Sequence, residues 1–136
     1  MLRHLFCLLF AAILWTSTVC AAGSDEALQS AQAWLALTDK GEVHQAWEQT
    51  STLFKSNVPA DEWEKAFAKA RSPMGEVGNR KLLSSKTTTS LPGVPDGEYV
   101  VLQFQTEFAN KKEAIETITQ QKDKDGVWRT AGYLIK

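Results

Sequence analysis

Reactive side chains are scarce in this sequence. Its 136 residues hold only two cysteines and two histidines. No Gly-rich phosphate loop, Gly-x-Ser-x-Gly elbow, Cys-x-x-Cys pair or His-Glu-x-x-His helix occurs, so the common short signatures of nucleotide, acyl-transfer, redox and zinc chemistry are all missing. Charge of one sign is lacking too. Fifteen Lys and Arg face sixteen Asp and Glu, for a formal net charge of −1. That balance gives no electrostatic reason to expect nucleic acid or an anionic lipid surface as partner. Internal repeats, low-complexity tracts and domain linkers are also absent from the pattern.

The cysteines locate the first boundary. Cys7 and Cys20 both lie in a stretch built like a secretory leader: Arg3 and His4 at the start, the apolar run Leu5 to Trp15, then small residues to Ala22. The run is shorter than the roughly 20 apolar residues of a membrane span. Cleavage after Ala21 or Ala22 fits the small-x-small rule, so residues 1–22 are expected to be the signal peptide and 23–136 a single α+β domain. Acylation at Cys20 is the rival reading. It is disfavoured because Ser17 and Val19 stand where a lipobox has Leu and Gly or Ala. Removal of the leader takes Arg3 and both cysteines with it, shifting the net charge from −1 to −2. The remaining chain of roughly 114 residues then has no disulfide and rests on its core, burying roughly 65% of the unfolded surface. Periplasmic or secreted localisation follows, with no stable membrane span after processing.

The first half of the remainder reads as helix. Ser24 is a good N-cap with Asp25 and Glu26 in the first turn, and Ala27, Leu28, Ala31, Trp34, Leu35 and Thr38 recur at helical spacing. Gly41 suits the left-handed position after the helix. A second helix is expected over 42–51, with Val43, Ala46, Trp47 and Thr50 on one stripe. Leu53 and Phe54 belong to a turn or short helical piece. Pro59 opens a third helix whose buried stripe is Trp63, Ala66, Phe67 and Ala70.

The second half changes period. Glu98 to Ala109 alternates strictly, with Val100, Leu102, Phe104, Thr106 and Phe108 on one face, and turn chemistry flanks it on both sides. It is expected to be the central strand of an antiparallel meander, between a polar first strand over 79–90 and strands over 113–122 and 127–135. The predicted fold is α+β: three N-terminal helices packed on one face of a four-stranded antiparallel β-meander. The first strand is the expected edge, where Lys81 and Lys86 oppose open pairing with another subunit.

No catalytic set is expected, and no cofactor or metal. The candidates for chemistry are Glu116, His44 and Tyr133. His44 is the sole histidine outside the leader, and its helical neighbour Glu48 offers a His–Glu pair, but one histidine without cysteine does not make the usual zinc set. Glu116 shares a strand face with Ala114, Ile118 and Gln120. It is read either as a pocket acid or, preferably, as a solvent-facing or ion-paired residue whose partner would be Arg71, Arg80 or Arg129. Trp128 and Tyr133 have opposite phase in the last strand, so one of them is expected to face outward. The aromatic set as a whole is read as core in preference to a ligand cup. Asp123-Lys124-Asp125-Gly126 starts like a calcium loop but has Leu134 where the twelfth-position Glu should stand.

Taken together, WLALTDKGEVHQAWEQTSTLFK, W-x3-F-x3-R-x-P-M-G, LPGVPDGEYVVLQFQTEFANK, AIETIT and DGVWRTAGYLIK resemble the small exported bacterial proteins of domain-of-unknown-function family 4019, over about Ala27 to Lys136. The resemblance implies an exported α+β protein and supplies no catalytic residues. By fold analogy its layout is similar to the cone-shaped, nuclear-transport-factor-2-like class, with four expected strands in place of the usual six. The function expected is a non-catalytic periplasmic binding or protein-interaction module, its partner a protein or a small apolar ligand of the cell envelope. The alternative is a small pocket enzyme of hydrolase or isomerase type using Glu116 and His44.

Overall fold

The computed structural model of the protein describes the backbone of residues 19–136 and the side chains from Gly23 onward. The expected leader at 1–22 lies outside the described residues, apart from the backbone of its last four. Along the chain come α1 (Val19–Asp39), α2 (Val43–Glu48), α3 (Thr52–Asn57), α4 (Ala60–Arg71), a 3-10 turn (Ser72–Met74), and strands β1 (Val77–Thr88), β2 (Tyr99–Phe108), β3 (Lys111–Lys122) and β4 (Trp128–Ile135). The strands form one antiparallel sheet in the order β1-β2-β3-β4, the expected meander.

Among the described residues there are four α-helices rather than three, because the Leu53–Phe54 piece closes a full helix capped by the Ser51 side chain on the Phe54 N–H. Ser24 is not an N-cap. It lies inside α1, whose described part already runs from Val19. Pro59 caps α4 from outside, its carbonyl taking the Trp63 N–H at 3.0 Å, and does not occupy the first helical position.

α1 is the element that spans the sheet, touching all four strands. Its stripe of Ala27, Ala31, Trp34 and Leu35 is buried against Val100, Leu102, Phe104 and Ile118. α2 packs on α1 and α4, and α4 adds Trp63 and Phe67. Ala66 and Ala70 of the expected α4 stripe are exposed. The buried line runs at intervals of four, Trp63, Phe67 and Arg71, so it ends on a cation where an alanine was expected. The aromatic rings pack on one another: Trp34 against Trp63 at 5.6 Å and Tyr133 at 5.2 Å, and Trp63 against Phe67 at 5.4 Å.

Bulges in the sheet change which way its side chains point, the first setting Gly78 and Asn79 of β1 against Glu107 between the pairs Val77–Phe108 and Arg80–Thr106. In β4, Thr130 pairs with Gln120 and Gly132 with Thr119, leaving Ala131 as an extra residue. This bulge reverses the phase of the strand. Trp128 and Thr130 face the core before it, and Tyr133, opposite buried Ile118, does so after it. The expectation that one of the two rings faces outward therefore fails. In β1, Leu82 pairs with Phe104 and Ser84 with Gln103, leaving Leu83 as the extra residue.

Candidate functional site

Three of the four best-placed charges in the molecule come from element ends or edges. Asp39 is the last residue of α1, Arg71 the last of α4, and Arg80 lies near the start of β1. The fourth, Glu116, sits in the middle of β3 with no exposed surface. Strand alternation explains its inward direction, and cross-strand register explains its neighbours. Phe104 pairs with Glu116, Thr106 with Ala114, and Arg80 with Thr106, so Thr106 lies diagonal to the carboxylate with Arg80 beyond it.

Every oxygen of both carboxylates is engaged. Glu116 Oε1 accepts from Arg80 Nε at 2.8 Å and from the Thr106 hydroxyl at 2.5 Å, while Oε2 accepts from the Tyr133 hydroxyl. Asp39 Oδ1 accepts from Arg71 at 2.6 Å and Arg80 at 3.0 Å, and Oδ2 accepts from Arg80 at 2.7 Å. Two cations and two anions cancel. A carboxylate at a helix C-terminus opposes the helix dipole, and the two guanidinium groups offset that penalty at Asp39. Arg71 also lies over the Phe108 ring at 4.6 Å.

The titration of these groups follows from the geometry. Burial works to raise the Asp39 pKa, but the hydrogen bonds and charges of Arg80 and Arg71 outweigh it and hold the carboxyl below its ordinary value. Burial works to lower Arg80, and its bonds to Asp39 and Glu116 outweigh that, so the guanidinium holds its proton more tightly than usual. Burial, followed by the adjacent Glu116 charge, pushes the Tyr133 hydroxyl well above its ordinary value, so it stays protonated.

Of the candidate residues, Glu116 and Tyr133 come together and His44 stays apart. Glu116 is ion-paired, as preferred, and it is inward-facing as well. The Ala131 bulge brings Tyr133 to it. His44 projects from α2 with its side chain 61% exposed and meets Glu64 at 2.8 Å and Glu48 at 3.6 Å. The partner anticipated for Glu116 among three arginines is Arg80. Asp39, given no chemical role in the sequence pattern, is the member sequence reasoning missed; Arg71 was named only as one of three arginines that could meet Glu116, and it joins through Asp39 instead.

Elsewhere, Asp123 and Asp125 of the β3–β4 turn converge on Arg129, each at 2.8–2.9 Å, so the calcium-like start is filled by the chain's own cation. Among the described residues no group of three His, Cys, Asp or Glu is placed to hold a metal ion, and no described helix is long and apolar enough to cross a membrane. A recess of about 170 Å³ opens between α1 and β1, lined by Gln32, Leu35, Arg80, Leu82 and Phe104. A larger one of about 350 Å³, lined by Trp34, Leu37, Gln45, Gln49 and Trp128 among others, lies where α1, α2 and β4 meet.

The fold and cluster define a class: an α+β protein in which helix ends are fastened to a four-stranded meander by charges that satisfy one another. The family model described as "Protein of unknown function (DUF4019)" matches residues 30–133, and the chain belongs to that family. The matched span contains every member of the cluster. A comparison with the curated proteins finds no match.

Proposed function

We propose that the chain is a non-catalytic interaction module of the bacterial cell envelope, released by cleavage after Ala21 or Ala22 and presenting one open sheet edge to a protein partner. The observation that carries this reading is the contrast between the two sheet edges. On β4, the segment before α3 covers part of the edge: Thr50 bridges Thr130, and the Ser51 N–H donates to the Thr130 carbonyl at 2.8 Å. On β1, every residue from Lys81 to Thr87 is exposed, and Leu82 and Leu83 are 38% and 48% accessible. A long uncovered edge is a template for another strand.

The interior supports the same reading. A pocket acid needs a carboxylate with capacity left for a substrate proton, held within reach of it. Both oxygens of Glu116 are already committed to Arg80, Thr106 and Tyr133, and the candidate base His44 is committed to surface carboxylates. A small apolar ligand would find its room in the recess beside Trp34 and Trp128.

Site-specific photo-crosslinking in cells tests the proposal. A photoreactive residue at Leu83 should give a discrete protein adduct that the same residue at exposed Lys65 on α4 does not. Identical adduct patterns at both positions, or none at Leu83, would overturn the proposal.

A further inference from the structure

The partner's chemistry is written on β1. Between Val77 and Thr88 the strand carries Arg80, Lys81 and Lys86 and no acidic residue. Arg80 is consumed by Asp39 and Glu116. Lys81 and Lys86 enter no ion pair with any described residue, and both are exposed. They pair with Gln105 and Val101 of β2, whose side chains share the sheet face away from α1, so the two ammonium groups stand on one face. Four residues of β2 separate those positions, a span of about 13 Å along the strand.

The opposite face of β1 has a different character. Leu82 pairs with Phe104 and borders the recess of about 170 Å³ between β1 and α1. That volume falls short of the roughly 300 Å³ at which small-molecule pockets begin. It suits a single side chain delivered from the edge. An open edge, a helix beside it and a side-chain recess between them are the parts of a strand-addition groove, in which main-chain hydrogen bonds give affinity and the recess gives selectivity.

We propose that β1 accepts an extended segment of another protein as a fifth strand, a segment with an apolar side chain facing the Leu82 recess and acidic residues about four positions apart facing Lys81 and Lys86. This rests on the interaction-module reading and names its partner class. A second copy of the chain is the wrong occupant, because β1 laid against β1 sets lysine against lysine.

Binding of synthetic peptides to the chain recovered from cells expressing the full sequence, followed by fluorescence anisotropy, tests this. One peptide of about ten residues alternates valine and threonine and carries two glutamates at i and i+4 on the threonine face; its control carries lysines there. The glutamate peptide should bind, and the double substitution Lys81→Glu with Lys86→Glu should weaken it about tenfold or more while improving the lysine peptide, without changing the melting temperature. Equal binding of both peptides by the parent chain would overturn the acidic class. Binding of neither, with Leu83 crosslinks intact, would overturn strand addition by such a segment while leaving the interaction module standing; the lysines would then serve only to guard the edge. Concentration-dependent dimerisation in sedimentation that the charge reversal leaves unchanged would assign the edge to self-association and overturn the inference.

Discussion

Two clusters in this molecule share a recipe and differ in setting. At the sheet centre Arg80 lies 2.8 Å from Glu116, and on the helix surface His44 lies 2.8 Å from Glu64. Arg80 and His44 each have a second carboxylate nearby, Asp39 in one case and Glu48 in the other. The inner carboxylate has no exposed surface, whereas the outer pair is 61% and 43% exposed. Distance alone says little about such a contact. Water surrounds the outer pair and already satisfies both groups, so joining them gains little. The inner groups have left water, and each now depends on the others.

Removal of one inner cation should produce the largest effect. Arg80→Met leaves Asp39 and Glu116 short of their shared partner, and unfolding in urea should show a loss of about 3 to 5 kcal/mol at pH 7. That deficit should shrink as pH falls, because the variant lacks the guanidinium that holds the Asp39 carboxyl below its ordinary value. In the parent chain Asp39 has a lowered pKa, so its contribution is full above the ordinary value of 3.8 and is lost as pH falls below it. A variant as stable as the parent at neutral pH would erase the distinction between the two clusters.

A smaller change sharpens it. Tyr133→Phe removes one hydrogen bond to a charged acceptor while keeping the ring against Trp34, and should cost about 1.5 to 3 kcal/mol. Because the folded-state pKa of Tyr133 is raised, its contribution is complete below the ordinary value of 10.0 and is lost as pH climbs above it. Alkaline melting curves should therefore fall less steeply for the phenylalanine variant than for the parent. Smallest of all is His44→Ala, which should change the unfolding free energy by no more than about 0.5 kcal/mol, with little dependence on salt.

How much of this was legible beforehand depends on which interactions are local. Alternation in β2 and the turns around it carry the meander, because period and punctuation are local properties. Glycine at position 41, with φ of +77°, ends α1 as its place after Asp-Lys implies. Ser24 was misread as a cap because a residue that caps well can also lie inside a helix, and propensity alone does not say which role prevails. The charge cluster was half legible. Alternation puts Glu116 with Ala114 and Ile118, and Arg80 is one of the three arginines named as its possible partner. Asp39 joins only through tertiary packing of two helix ends, which no spacing reveals. The Ala131 bulge had a faint sign, Gly132 inside an otherwise regular strand, although that sign does not say which neighbour is the extra one.

That extra residue carries a lesson about mutation by length. Ala131 is no member of the charge cluster and has no partner of its own in the ladder. Yet its omission from the ladder keeps the count. Draw it into the ladder opposite Thr119, and everything downstream swaps sides, turning the Tyr133 hydroxyl toward water and stripping Glu116 of a donor; delete it, and Gly132 and Tyr133 keep Thr119 and Ile118 as partners. Exchanging one side chain there for another of similar size, or removing the residue, should leave Tyr133 on the core face, while adding one residue between Gly132 and Tyr133 should be ruinous.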